Sequence, residues 1–266
     1  MMSARNKPSV RAIEMRRMKG SLSVIFFALL ILFSIWFVEM DIFELIQSIP
    51  IFFQFLFTDF FPPNISDLST YFGPVVDTLI FAVVTTCLSS LLGIVIGFCM
   101  AHNTTPHPGV RVFFRGIIAF LRNIPFLVWA SILVVIFGVG TMPGLFALVL
   151  FGTSFLARVY AESIEELNKE GVEALDACGA SYLQKIKHGI MPQFLPSFYS
   201  WTLFMFEINI RASAILGLVG AGGMGSILKQ TMDLFQYGKT STVIAIMVIL
   251  ILMVEYVTNR VRERLI

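Results

Sequence analysis

The chain has 266 residues, of which 57% are hydrophobic and 14% charged, with a formal net charge of +2 and a mean hydropathy of +0.84. Soluble globules average about 45–50% apolar and about 25% charged residues, so the composition excludes a soluble domain and points to an integral membrane protein. At ~20 residues per crossing, the length holds roughly six spans plus one or two sizeable loops.

The first residues carry Arg5, Lys7, Arg11, Arg16, Arg17 and Lys19 and lead into an apolar run over 22–38. A secretory signal starts similarly, but its apolar core is shorter and ends at a small-residue cleavage site. This run ends in Trp36-Phe37-Val38-Glu39, which predicts an uncleaved first span behind a cytoplasmic tail of residues 1–21. Residues 49–61 are apolar and aromatic but too short to cross, and Pro62-Pro63 stops them. They predict a helix lying in the outer interface, with a re-entrant segment as the alternative.

Apolar runs predict five further spans over 74–101, 117–139, 143–161, 195–217 and 241–259. The first of these exceeds one bilayer thickness and can tilt or project beyond it. The stretch from Glu39 to Asp77 contains no Lys or Arg but carries Glu39, Asp41, Glu44, Asp59 and Asp67. Arg111, Arg115 and Arg122 follow the second span; Arg158, Lys169, Lys185 and Lys187 follow the fourth; Arg260, Arg262 and Arg264 close the chain. Only Lys229 and Lys239 fall on outer segments. The positive-inside rule then places both termini in the cytoplasm, which requires an even number of spans. Six fits. The predicted fold class is all-α and polytopic, a single transmembrane domain over 22–266 with its core at about 70–260. Cys87, Cys99 and Cys178 show no paired spacing, which argues against a disulfide framework or a thiolate metal site.

Arg122-Asn123-Ile124-Pro125 stands at the start of the third span, where Pro125 fits a first helical turn because its missing N–H costs nothing there. Arg158 and Glu162, at i, i+4, mark the exit of the fourth span. The polar segment that follows, 162–192, is far longer than the 2–8 residues usual between packed helices. It brings together the small residues Ala174, Ala177, Gly179 and Ala180, over which another protein can approach closely. The plain alternative is a pair of short helices, broken at Gly179, that merely bridge two spans. In the fifth span, Glu207 and Arg211 lie at i, i+4 on one helix face. An unpaired charge there costs about 2.5–3.5 kcal/mol on insertion scales. Either the two form an intrahelical pair or they face a water-filled path, with Ser213 close by. Gly220-x-Gly222-x-x-Gly225 matches a dinucleotide fingerprint in form only, because an apolar helix precedes it and no βαβ pattern surrounds it. Gly220, Gly222, Gly223 and Gly225 instead predict a tight turn at the outer end of the fifth span.

No catalytic constellation emerges. His102, His107 and His188 are scattered, without a metal-ligand neighbour at i+4, and no GxxxxGK[ST] phosphate loop is present. The chain is not expected to act as an enzyme, to hold a metal or cofactor, or to bind ATP. An intramembrane hydrolase would need a nucleophile and base facing each other within the spans. A channel would need a filter-like run or a charged ring, and none stands out.

Glu173, Ala174, Gly179 and Pro192 resemble the EAA loop of ATP-binding-cassette importer permeases. Leu175, Gly189 and Met191 depart mildly from the usual pattern. The lead-in Glu207-Ile-Asn-Ile-Arg-Ala-Ser213, the glycine stretch and the Asp59-Phe-Phe-Pro-Pro63 loop resemble the phosphonate branch of that family, over about residue 55 to the C-terminus. The resemblance implies a type I importer permease fold with a cytoplasmic coupling helix, in a bacterial inner membrane. It implies phosphonate, phosphite or a phosphate ester as cargo, with methionine or another small solute as the alternative. The implied partners are a pair of ATPase subunits carrying ATP and Mg, an extracytoplasmic binding protein, and a second permease copy or paralogue. It assigns Glu173, Ala174, Gly179 and Pro192 to ATPase coupling, with the small Ala177 and Ala180 beside them. Glu207, Arg211 and Ser213 are the residues expected from their place in the fifth span to line a translocation path. A bulky replacement on the coupling segment is expected to hold the two proteins apart.

Overall fold

The computed structural model describes residues 10–39, 41–66 and 68–265. The tail residues Arg5 and Lys7, and Asp67 of the acidic outer stretch, lie outside them. The chain divides into two units, one ending at Phe57 and one running from Thr58 to Ile266.

The first unit contains α1 (Val10–Phe37) and α2 (Ile42–Phe55). From Leu22 to Val38 its large apolar side chains, Ile35 apart, are exposed, as suits a helix solvated by lipid. α2 starts seven residues before the predicted interfacial helix because Asp41 caps it: its Oδ1 accepts from Phe43 N at 2.8 Å and Glu44 N at 3.2 Å.

The second unit runs through α3 (Phe72–Met100), α4 (Pro108–Asn123), α5 (Phe126–Phe137), α6 (Thr141–Glu165), α7 (Glu170–Ala177), the short α8 (Tyr182–Gln184), α9 (Met191–Gly217), α10 (Gly223–Asp233) and α11 (Tyr237–Leu265). All described elements are helical. Among the described residues three helical segments are long and apolar enough to cross a membrane: Leu68–Met100, Thr141–Glu165 and Tyr237–Arg264. α9 has the length, at 27 residues, but not the apolarity. The predicted third span over 117–139 is not one helix. α4 and α5 meet at a bend of 89°, because Pro125 cannot continue a helix and forces Ile124 into extended backbone (φ −98°, ψ 119°). Pro125 does precede a helix start, at Phe126.

The core forms where α3 crosses α6. Ser89, Gly93 and Gly97 recur every four residues on α3, so they share one face. A Cβ on Gly93 would stand 2.9 Å from Leu156 Cβ, and one on Gly97 3.0 Å from Tyr160 Cβ. Small residues thus let the two backbones approach, as expected where apolar burial between helices has no driving force in lipid. Tyr160 is buried beneath this crossing with Phe194, and its hydroxyl meets Thr202 Oγ1 at 2.6 Å. Because Thr202 donates to the Phe198 carbonyl, the phenol is the donor, and the buried polar pair is satisfied.

Candidate functional site

Two regions collect the residues singled out in the sequence. The first is a helical hairpin between α6 and α9. α7 is eight residues long and ends in a Schellman motif: Gly179 N–H donates to the Asp176 carbonyl at 2.9 Å and Ala180 N–H to the Leu175 carbonyl at 3.0 Å. This motif needs a left-handed residue after the cap, and Gly179 has φ +75°. Gly179 is therefore required by backbone conformation, a reason independent of any approaching surface. No atom lies within 4 Å of where its Cβ would stand, so the site is open as well.

The returning arm begins at Ser181, whose N–H donates to Gln184 Oε1 at 2.7 Å. It then passes through a wider turn over Lys185–Ile190 into α9. Three ties brace the hairpin. Lys185 Nζ reaches Asp176 Oδ1 at 2.7 Å across the arms. Val172 and Leu175 pack on Gly189, where a Cβ would stand 3.1 Å from Leu175 Cδ1. The Tyr182 hydroxyl donates to the Thr104 carbonyl at 2.5 Å, pinning the hairpin to the link between α3 and α4. Burial pushes the Tyr182 phenol up from its ordinary value, and the nearby Cys99 adds to the rise, so it remains a donor.

Glu173, Ala174 and Ala177 are exposed on the outward side of α7, while Val172 and Leu175 turn inward. Ala180 is half-buried and Pro192, in the first turn of α9, is exposed. Five of the six predicted coupling residues thus occupy one braced hairpin, where Ala174, Ala177 and Gly179 present an open face of small residues beside the Glu173 carboxylate, and Pro192 follows at the start of α9.

The second region is α9 and the turn after it. Glu207 and Arg211 do not pair with each other. Each reaches across to α11 instead. Buried Glu207 accepts from Thr258 Oγ1 at 2.5 Å and from Arg262 Nη2 at 3.0 Å. Arg211 Nη2 stands 3.5 Å from Glu255 Oε2, with the two side chains 46% and 44% exposed. Asn209, fully buried between them in sequence, donates from Nδ2 to Thr86 Oγ1 on α3 at 2.8 Å. Glu207 is therefore a helix-joining residue, whereas Arg211 keeps an accessible guanidinium.

The glycine turn has φ +93°, +86° and +65° at Gly220, Gly222 and Gly223, a run that side chains rarely adopt. It does not sit at a free helix end. Met224 N–H donates to Thr78 Oγ1 at 3.0 Å, six residues into α3, about 9 Å at 1.5 Å per residue. Gly225 is pressed on the Ala214 carbonyl and Gly217. α10 then carries the chain onward to α11. A cavity of about 390 Å³ opens beside the turn, lined among others by Asp77, Thr78, Thr141, Ser213, Gly222 and Gly223. Ser213 and two of the predicted glycines thus meet there. Asp77, Thr78 and Thr141 were not anticipated, because nothing local in the sequence links α3 and α6 to a turn some 80 to 145 residues away.

Near the C-terminal end of α6, Arg158 and Glu162, one turn apart, form an ion pair at 2.6 Å. Glu165 also gathers His102 N at 2.8 Å, His102 Nδ1 at 3.1 Å and Arg115 Nη2 at 2.6 Å. Among the described residues, no group of three or more His, Cys, Asp or Glu could hold a metal ion, and the three cysteines are free.

Residues 89–265 match the family described as binding-protein-dependent transport system inner membrane component. The chain is 30% identical to the phosphite transport system permease protein PtxC of Stutzerimonas stutzeri, over 93% of this chain and 89% of that protein. It is 32% identical to the phosphate-import permease protein PhnE of Mycolicibacterium smegmatis, over 76% of this chain but 38% of that longer protein. Its fold is similar to a chain of the MetNI methionine ABC transporter in an inward-facing conformation, with a TM-score of 0.67, 21% identity and coverage of 76% of this chain and 99% of that one.

Proposed function

The chain belongs to the family of binding-protein-dependent transport system inner membrane components, the permeases of ATP-binding-cassette importers, and on that premise we propose that it carries phosphonate, phosphite or a phosphate ester. The observation that carries this reading is the nearly full-length match to a phosphite permease. In this reading the chain works in a bacterial inner membrane as a six-span subunit with both termini inside. A second permease copy or paralogue closes the path, and a binding protein delivers cargo to the outer segments around Gly220 to Met232.

A pair of ATPase subunits, which hold ATP and Mg, grips the α7–α8 hairpin. The exposed Glu173, Ala174 and Ala177 and the ties at Lys185 and Tyr182 support that role. A braced hairpin moves as one body, so drawing the ATPases together displaces α6 and α9 rather than flexing a loop. Within the path, Arg211 offers a guanidinium whose planar fork matches phosphate-like oxygens. Ser213 and the turn at Gly222 line the adjoining cavity.

The test is ATP hydrolysis by the reconstituted complex in response to loaded binding protein. Phosphite or an alkylphosphonate is expected to stimulate it and methionine is not. Stimulation by methionine alone overturns the cargo assignment while leaving the permease role intact.

A further inference from the structure

We propose that α4 is an in-plane helix whose arginine face, together with Arg158 of α6, holds the headgroup phosphate of an anionic phospholipid of the inner leaflet. α5 and α6 form a hairpin through a three-residue link, so α5 runs along a span. The 89° bend then lays α4 across that direction. Ile118 fixes it there, being buried against the inner ends of α3 and α6.

The two outer sides of α4 differ in chemistry. At about 100° per residue, Arg111, Arg115 and Arg122 fall within about 40° of one another. Phe113, Ile117 and Phe120 fall on the roughly opposite side and are all exposed, the two phenylalanines 62% each. An exposed aromatic side facing away from an arginine side fits a helix lying at the headgroup boundary and no aqueous surface.

A cavity of about 270 Å³ opens between α4 and α6, lined by Arg115, Arg122, Arg158, Glu162 and Glu165 among others. Two of its three guanidiniums are already paired, Arg115 with Glu165 and Arg158 with Glu162. Arg122 has no ion-pair or hydrogen-bond partner among the described residues, and neither does Arg111 on the same face. The cavity therefore carries one uncompensated positive charge. Phe113 and Phe120, exposed on the other side of α4, set that helix at the level where acyl chains begin, so the cavity's position favours a phosphate carried by a lipid of that leaflet.

Each basic side chain near an anionic leaflet contributes about 1 kcal/mol, which converts to about fivefold in affinity. The test uses the full chain in detergent micelles doped with equal phosphatidylglycerol and phosphatidylcholine, with bound lipid counted by native mass spectrometry. Retained phosphatidylglycerol is expected to exceed phosphatidylcholine, and Arg122→Gln is expected to reduce that preference about fivefold. Arg122→Lys should keep most of it. Phe120→Ser should lower retention of both lipids without changing their ratio. An unchanged ratio in Arg122→Gln overturns the proposal, as does displacement of phosphatidylglycerol by millimolar inorganic phosphate, which would mark a free-anion site. Wild-type thermal stability in Arg122→Gln is the control that the variant is folded.

Discussion

Glu207 and Arg262, 55 residues apart, meet at 3.0 Å and tie α9 to α11. The carboxylate is buried and its other partner is Thr258. Removing one member of a buried pair leaves an uncompensated charge and costs about 3–5 kcal/mol, whereas replacing both with apolar residues is often neutral. Arg262→Ala is therefore expected to lower the thermal midpoint of the detergent-solubilised chain sharply. Glu207→Leu combined with Arg262→Met should recover most of the loss. A double variant no more stable than Arg262→Ala would mean that Glu207 is not held through this pair.

The Arg211–Glu255 pair also joins α9 to α11 but differs from the Glu207–Arg262 pair in energetics. Its two side chains are nearly half exposed and 3.5 Å apart, the range in which an ion pair contributes about 0–1 kcal/mol. Arg211→Lys and Arg211→Ala are both expected to fold with stability close to wild type. Uptake should separate them if the guanidinium fork touches cargo, with both variants slowed and Ala the slower. Uptake kinetics unchanged in Arg211→Lys would remove the fork from the path.

The difference between these two pairs also marks what the sequence made legible. Runs over 74–101, 143–161, 195–217 and 241–259 correspond to α3, α6, α9 and α11 because a long apolar stretch admits few alternatives. Most of their ends shift outward, by six residues at the C-terminus of α11, since a helix continues past the last apolar residue while its polar side chains stay solvated. The break at Ile124–Pro125 was hidden by the apolar Ile117–Leu121 ahead of it. The one-sided spacing of Arg111, Arg115 and Arg122 was the signal available for a separate amphipathic helix. Partner choice was not legible at all. Spacing alone offers Arg211 to Glu207, and only the packing of α9 on α11 substitutes Arg262 from the far end of the chain.

Tyr182 gives a prediction with a pH sign. Its hydroxyl donates to the Thr104 carbonyl, and burial raises its titration above the ordinary 10.0. A raised folded value means that the stabilisation is fully present below the unfolded value, near pH 10, and is lost as pH rises through the folded one. Hairpin protection in amide exchange should therefore be flat from pH 7 to about 10 once the intrinsic exchange rate is divided out. Tyr182→Phe should lower it by about 0.5–1.5 kcal/mol, the ordinary net value of one hydrogen bond. Equal protection in Tyr182→Phe would show that the tie to the α3–α4 link does not hold the hairpin.

The coupling role of the hairpin needs a probe that changes the surface without changing the backbone. Gly179 is a poor one. Its φ of +75° means that any side chain strains the Schellman turn, by roughly 1 kcal/mol, so lost transport in Gly179→Trp could come from a displaced helix end. Ala174 lies on the exposed side of a regular helix, where a larger residue leaves the backbone conformation unstrained. Ala174→Trp is expected to leave the stability of the isolated chain within about 0.5 kcal/mol of wild type, as for other exposed positions. In the complex it should reduce uptake per ATP hydrolysed at least tenfold, because a ring there separates the hairpin from the ATPase. Ala174→Ser, nearly the same size, should transport normally. If Ala174→Trp matches wild type in both uptake and ATP consumption, α7 does not lie in the ATPase interface.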